Sequence, residues 1–523
     1  MTRVFRLLLL CSALLAVGCS DGSDGSDGSD GAASGSKPQA DNPVVEGPVT
    51  GGGGEDCCVI AFGPIEVDLR DQSYTPGTPF YAGVNFDEAQ VGYRETEYFI
   101  SGTAHSYVAT DELSRAGDWT VQAADSAPYR SRIVVLRPED AGDFNGTVMV
   151  EWFNVSGGVD AAPDWTQMHT ELIRQGYAFV GVSAQRAGIA GGGAFDLPLL
   201  SVDSVRYGSL DHPGDSFSYD IFSQAAQAVR NPVGLDPLDG LVVERMIGVG
   251  QSQSAGRLVT YVNAIHPTID LFDGFIIHSR GGGGTPISQA PQAEVDVPDN
   301  PLVRDDLPEP VITLQTETDL FRLGSVEVRQ PDSENFRFWE VAGAAHSDIY
   351  TTLKGPLDQG NDPTVADVIA TAEVRPPFIS CEFPANDGPG HWVAKATIAA
   401  LDDWIRSGTP APAAPLLALT ADGSAFELDA LGNALGGIRT PYVDAPVAIL
   451  SGEGQPASSV FCGLFGVTQL FDDSTLAQLY PTQARYVDAI DVATDSAVAS
   501  GFLLPVDGEL IKARARSAEI LAP

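Results

Sequence analysis

Ser252 is the residue whose setting most suggests chemistry. A short apolar run (Met246, Ile247, Val249) ends in Gly250-Gln251-Ser252-Gln253-Ser254. Leu258, Val259, Val262 and Ile265 then recur at helical spacing until His266-Pro267, where the pattern predicts that the helix stops. Strand, tight turn and helix with a serine at the tip is the setting in which a hydroxyl is presented as a nucleophile. Such a turn is strained and brings its flanks together, so it needs small residues on both sides. Gly250 supplies one, and Ser254 stands where glycine is more usual. A shifted frame, Ser252-Gln253-Ser254-Ala255-Gly256, would make Ser254 the nucleophile. It ranks second, because Ser252 lies closer to Val249, the last apolar residue of the strand. An isolated motif of this kind is equally compatible with a turn that has no chemistry, so the rest of the chain has to decide.

An alcohol is a poor nucleophile at neutral pH and needs an adjacent base held by a third group. His346 is the best base: it follows the strand pattern Phe336–Val341 in the small-residue loop Gly343-Ala-Ala-His346, and it comes after the serine in the chain. His391, in Gly388-Pro-Gly-His391-Trp392, is the rival, but it adjoins a helix start. His278 ends the strand after the serine turn and is expected to line the pocket, whereas His105, His169, His212 and His266 fall on helices or surface loops. For the acid, Asp319 lies just beyond the strand Pro310–Thr316, with Glu317 as the near alternative. The oxyanion formed on attack needs backbone N–H donors. One should be that of Gln253, and the other should come from the loop after Thr147–Phe153, most simply Val155 or Ser156.

These residues need a scaffold. Glu95–Gly102 and Ile133–Leu136 read as strands in a β-rich region running from about Val59 to Arg137, and Thr147–Phe153, Tyr177–Ser183 and Phe272–His278 as further strands. Asp164 with Gln167 reads as the capping box of a helix closed by Gly176. Tyr219–Arg230 and Trp392–Ser407 carry helical patterns. Strands alternating with helices predict an α/β fold, a mostly parallel central sheet with helices on both faces, and ligands bind at the carboxyl ends of such strands. All of the candidate residues lie at one of those ends. From Thr409 to Pro523 the alternation is lost: Gly436–Pro441 reads as a loop between extended pieces, and Asp473–Tyr480 and Ala484–Val492 as helices. This part is expected to be an appended, lid-like subdomain, which leaves residues 56–408 as the core.

Among the 523 residues, 70 are acidic and 29 basic, a formal net charge of −41. Such a surface repels phosphate backbones and anionic headgroups, so nucleic acid is not an expected partner. Arg3 and Arg6 precede an apolar stretch, Leu7–Val17, too short to span a bilayer. It ends in Ala16-Val17-Gly18-Cys19, similar to a bacterial lipobox, so residues 1–18 read as a signal peptide and Cys19 as a lipid-bearing N-terminus. An ordinary secretory signal cleaved nearby is the competing reading. Residues 19–55, with Ser-Asp-Gly four times over from Ser20 to Gly31, read as a flexible tether to an envelope membrane. Cys57, Cys58, Cys381 and Cys462 then belong to an oxidising compartment. A bridge between neighbours is strained, so each of Cys57 and Cys58 is expected to reach one of the distant pair. No cysteine pair has the spacing of a zinc site.

The stretches Gly92–Gly102, Val150–Ser156, Tyr207–Asp215, the serine turn, Val341–His346 and Gly436–Pro441 together resemble the α/β-hydrolase superfamily. More narrowly, they are similar to exported bacterial "alpha/beta hydrolase domain" proteins with a Gly-x-Ser-Gln-Ser elbow. That resemblance implies an α/β-hydrolase fold with Ser252 as nucleophile and His346 as base, and implies no particular substrate. The expectation is a serine hydrolase that cleaves a small-molecule carboxylic ester through an acyl-enzyme, with no metal or organic cofactor. Alternatives are an amidase or acyltransferase with the same machinery, or an inactive hydrolase-fold binding protein. The sequence leaves oligomeric state open.

Overall fold

A computed structural model of the chain describes residues 60–62, 79–192, 196–375, 380–456 and 460–521. Cys19, the tether, Cys57 and Cys58 lie outside the described residues.

One sheet of nine strands organises the molecule: β1 (Ile60–Phe62), β2 (Tyr93–Ala109), β3 (Val121–Pro138), β4 (Thr147–Trp152), β5 (Ala178–Val182), β6 (Arg245–Gln251), β7 (Gly274–His278), β8 (Val311–Thr316) and β9 (Phe336–Val341). Their order is β1-β2-β3-β5-β4-β6-β7-β8-β9. Neighbours from β5 through β9 all pair in parallel, and β1, β2 and β3 extend one side of the sheet by antiparallel pairing. β4, β5, β7 and β8 are buried at every residue, as parallel strands covered on both faces must be.

Helices α1 (Pro163–Arg174), α2 (Ser218–Arg230), α3 (Gln253–Thr260), α4 (Glu317–Phe321) and α5 (Gly390–Ser407) follow strands in turn. Trp165 and Leu172 of α1 and Ile398 and Leu401 of α5 pack on one face of the sheet, against Ile247, Ile276 and Leu314. Phe222 and Val229 of α2 and Leu258 and Val259 of α3 pack on the other, against Val148, Val150 and Phe275. Each such side chain removed from water contributes roughly 1.5–3 kcal/mol, so the sheet is a rigid base for whatever stands at its edge.

Two helix boundaries differ from the sequence expectation. Asp164 does not cap α1. The cap position is Ala162, Pro163 takes the first helical position, and the buried Glu151 of β4 accepts from the N–H groups of Asp164 and Trp165, both at 2.9 Å. Proline suits that position because its missing N–H would have been unpaired anyway. His266-Pro267 does not end the serine helix either. A π-helical turn (Tyr261–Ile265) re-phases it, Pro267 falls in the first turn of a new helical segment where no N–H is needed, and Asp270 at φ 45° ends it.

The C-terminal part holds a two-stranded antiparallel sheet, β10 (Ala448–Ser451) with β11 (Val467–Leu470), and helices α6 (Asp473–Leu479), α7 (Gln483–Ala499) and α8 (Pro505–Ser517). The expectation placed α6 and the start of α7 but not the two strands or α8. Tyr486, Ile490 and Ile511 pack with Tyr350, Val368 and Trp392 of the core. Within Gly436–Pro441, Ile438 pairs with Val341 and covers the outer edge of β9, exchanging backbone hydrogen bonds with Glu340 and Ala342. Gly437 permits that approach, at φ 64° and with the Glu340 carbonyl oxygen 2.9 Å from where a Cβ would sit.

The disulfide expectation is corrected. Cys381 pairs with Cys462, so neither is left for Cys57 or Cys58. Among the described residues, no helix is long and apolar enough to cross a membrane.

Candidate active site

Ser252 sits between the last residue of β6 and the first of α3 at φ 61°, ψ −118°. A side-chain-bearing residue held there costs about 1–3 kcal/mol. The neighbours hold it: the Ser252 N–H donates to the His278 carbonyl (2.9 Å), and Asn154 Nδ2 donates to the Gln251 carbonyl (3.0 Å). Gly250 is required by space, since a Cβ there would lie 3.0 Å from the Ser254 carbonyl oxygen.

The structure brings Ser252, His346 and Asp319 together. His346 Nε2 is 2.9 Å from Ser252 Oγ, and its Nδ1 is 2.6 Å from Asp319 Oδ1. His346 and Asp319 are buried, whereas Ser252 keeps partial exposure. A carboxylate on Nδ1 fixes the tautomer, putting the proton on Nδ1 and leaving Nε2 free to accept from the hydroxyl. Asp319 is itself held. It is the third residue of α4, and its Oδ2 accepts from the N–H (2.7 Å) and hydroxyl (2.8 Å) of Thr316 in a capping box. The His346 backbone is fastened at both ends, its N–H to Thr318 Oγ1 (3.2 Å) and its carbonyl to Gln251 Nε2 (3.2 Å).

Ser254, the tip of the shifted frame, is fully buried in the first turn of α3, where its hydroxyl donates to the Phe153 carbonyl at 3.2 Å. Glu317, the alternative acid, does not reach the imidazole. Its carboxylate accepts from the N–H groups of Gly343 (2.6 Å) and Gly452 (2.9 Å) and from the Ser451 hydroxyl (3.0 Å). Burial pushes its pKa up to about 7 against the pull of those donors. The half-buried Glu453 is likewise raised to about 7 by burial, opposed by Arg322 and reinforced by Glu317 and Asp319.

The other histidines stand apart from Ser252 Oγ. His278 is buried, and its Nδ1 meets Asp164 Oδ1 at 2.7 Å. Burial and repulsion between the two carboxylates push the pKa of Glu151 upward, and burial raises that of Asp164 against the pull of His278. His391 is stacked on Tyr350, ring centres 3.6 Å apart, and burial together with Lys395 and Lys354 holds its pKa well below the ordinary value. His105 meets Asp220, His169 the carbonyls of Thr166 and Asp358, His212 the carbonyl of Ala184, and His266 the carboxylate of Glu309.

The loop after β4 is pinned to the serine turn by Asn154 and by the Ser254–Phe153 bond. The Ser156 N–H is engaged by Asn154 Oδ1 at 2.9 Å, while among the described residues the Val155 N–H has no acceptor. The Gln253 N–H, in the first turn of α3, is one of the donors that a helix start leaves unpaired. The loop thus offers Val155, not Ser156, as a free donor. Metal-ligand side chains converge elsewhere: among the described residues, ligand atoms of His266, Asp270 and Glu309 lie within 4.8 Å of one another. Asp270 precedes β7 and Glu309 precedes β8, so the group lies at the amino ends of the strands, opposite Ser252.

Sequence reasoning missed Thr318, Gln251 and Asn154. The spacing of Thr316 and Asp319, three apart at a strand end, is the signal that could have shown the acid turned back over its own helix start.

A family model described as "Alpha/beta hydrolase domain" matches residues 45–513. No curated protein matches the chain. Solved structures similar to it include work on two esterases of the fungus Rhizomucor miehei, at 11% identity over 58% of this chain and 86% of that one, TM-score 0.29. A glucuronoyl esterase from Solibacter usitatus matches at 11% identity over 47% and 76%, TM-score 0.26. An alpha-beta serine hydrolase homologue from Coxiella burnetii matches at 13% over 42% and 84%, TM-score 0.26. With most of its length covered by that family model, the chain belongs to the alpha/beta hydrolase domain family.

Proposed function

We propose that this hydrolase-fold protein is a serine hydrolase that cleaves a carboxylic ester through an acyl-enzyme. The observation that carries the reading is the unbroken line from Ser252 Oγ through both imidazole nitrogens of His346 to Asp319, at 2.9 and 2.6 Å. In this reading Ser252 Oγ attacks the ester carbonyl carbon as its proton passes to His346 Nε2. Asp319 holds the imidazole in register and stabilises the imidazolium. The N–H groups of Gln253 and Val155 receive the oxyanion, each such donor accounting for about 10²–10³ in rate. The intermediate collapses, the alkoxide leaves with the proton from Nε2, and Ser252 remains acylated. Water then gives a proton to Nε2 and attacks the acyl carbon; the acid departs and the serine recovers its proton.

The same line of contacts speaks against an inactive binding protein, which has no need of a base held on a hydroxyl. The test is mass spectrometry of protein quenched during turnover of p-nitrophenyl acetate. The reading expects an acetyl group on the peptide containing Ser252. Turnover with the adduct on another residue sinks it.

We also propose that Cys19 carries a lipid and that residues 19–55 tether the enzyme to an envelope membrane, supported by the lipobox-like Ala16–Cys19 and the Ser-Asp-Gly repeats. Metabolic labelling with an alkynyl fatty acid, lost in Cys19→Ala, tests this; equal labelling of the variant refutes it.

A further inference from the structure

Three consecutive side chains of α4 hold the histidine loop, and the first two of them also hold the end of β10. Glu317 accepts from the N–H groups of Gly343 (2.6 Å) and Gly452 (2.9 Å) and from the Ser451 hydroxyl (3.0 Å). Thr318 Oγ1 accepts from the His346 N–H (3.2 Å) and donates to the Gly452 carbonyl (2.7 Å). Asp319 meets His346 Nδ1 at 2.6 Å. Gly343 and His346 bracket the loop that carries the imidazole, and Ser451-Gly452 ends β10 of the C-terminal part. Asn386, fully buried, closes the junction from the other side, donating through Nδ2 to the carbonyls of Gly343 (3.0 Å) and Ser451 (3.2 Å).

Gly452 has no room for a side chain. A Cβ there would lie 2.4 Å from the Thr318 nitrogen and 2.7 Å from both Glu317 Cβ and Thr318 Oγ1. The end of β10 is therefore docked directly on the backbone that holds the acid.

We infer that Glu317, with the Ser451-Gly452 segment it binds, is a positioning device for His346, so that the C-terminal part is a working component of the acid–base pair and not only a cover. The inference rests on the serine-hydrolase reading of Ser252 and His346. Imidazole placement must hold to a fraction of an ångström for proton transfer, and a 1 Å displacement costs about 10²-fold in rate. Between Gly343 and His346 stand only Ala344 and Ala345, buried but too small to orient the imidazole by themselves. Glu317 and Thr318 supply the fixing from one side, Asn386 from the other. The charged groups acting on the Glu317 carboxylate are Arg439, which favours its ionised form, and Glu453 with the Asp319–His346 pair nearby.

The test compares wild type, Glu317→Gln and Gly452→Ala in steady-state hydrolysis of p-nitrophenyl acetate from pH 5 to 9. Circular dichroism melting reports which variants are folded, and the isosteric Glu317→Gln is the safeguard if Gly452→Ala does not fold. The expected result is a kcat lower by about 10–100-fold with KM little changed. In Glu317→Gln the loss is expected in kcat per fluorophosphonate-titratable site; a merely structural role lowers the number of such sites and leaves kcat per site in place. A folded Glu317→Gln variant with wild-type kcat per titratable site, or a loss confined to KM, overturns the inference. Fluorophosphonate labelling of the wild type separates the two levels. A labelled wild type with indifferent variants removes only the positioning device, whereas an unlabelled wild type removes the hydrolase reading and the inference together.

Discussion

The hydroxyl of Ser254 donates to the carbonyl of Phe153 at 3.2 Å, tying the first turn of the serine helix to the loop after β4. Two serines two residues apart thus have opposite surroundings: Ser252 is partly exposed and meets an imidazole, whereas Ser254 is sealed and bonded to backbone. Ser254→Ala should therefore keep its ester hydrolysis within a few-fold of wild type. It should lose about 1 kcal/mol of stability, the net worth of a typical buried hydrogen bond. Urea unfolding and a p-nitrophenyl acetate assay measure the two quantities. Loss of turnover from a folded Ser254→Ala protein contradicts this assignment.

Asp319 and Glu317 lie two apart on the same helix, yet only Asp319 reaches the imidazole. In Asp319→Asn the amide presents an N–H₂ as readily as an oxygen, so the ring no longer has a reason to keep its proton on Nδ1. The expected loss in kcat is about 10³–10⁴-fold, with little change in KM. Steady-state kinetics at pH 8 checks it, and a loss below tenfold would assign the acid elsewhere.

The Cys381–Cys462 bridge closes a loop with a sequence separation of 81. Its two ends flank contacts to the histidine loop: the Ser347 N–H donates to the Leu464 carbonyl (3.0 Å), and the Asn386 N–H to the Phe465 carbonyl (2.8 Å). Replacing both cysteines by serine should destabilise the protein by about 2–4 kcal/mol through the freer unfolded chain. Calorimetry with and without reductant measures this; an unchanged Tm contradicts it.

Glu317 gives stability a pH dependence of defined sign. Its carboxyl titrates at about 7 in the folded protein, against roughly 4.3 in an unfolded chain. Between those values the folded form holds more protons, so its contribution to stability falls as pH rises from about 4 to about 7 and is constant above. Glu317→Gln should flatten that part of the stability profile. Chemical denaturation at pH 5, 6, 7 and 8 checks it, and an identical slope in wild type and variant is the contrary result.

Much of the fold was legible because parallel strands buried on both faces leave unbroken apolar runs, and each candidate residue lay just after such a run. That logic, with the chain order of nucleophile and base, pointed to Ser252 and His346 and left Asp319 and Glu317 as alternatives for the acid. What supports them was not legible. Glu317 meets Gly452 from 135 residues away, and no local pattern announces a contact between a helix start and a distant strand end. Asp164 reads as a cap because its type and spacing fit one, but the helix begins before it, at Pro163, with the buried Glu151 of β4 holding its first N–H groups. Pro267 read as a stop because a π turn, which re-phases the helix ahead of it, leaves no mark in hydrophobic spacing. The cysteine pairing differs from the expectation because the strain of a bridge between neighbours says nothing of residues 381 and 462 lying side by side in the fold.

The central claim is that one hydroxyl, on Ser252, is activated by His346. The most direct measurement is labelling of the purified protein with a fluorophosphonate probe, followed by mass spectrometry of the modified peptide. The account predicts one adduct on Ser252, absent in Ser252→Ala and strongly slowed in His346→Ala. Undiminished labelling of folded Ser252→Ala protein would contradict it.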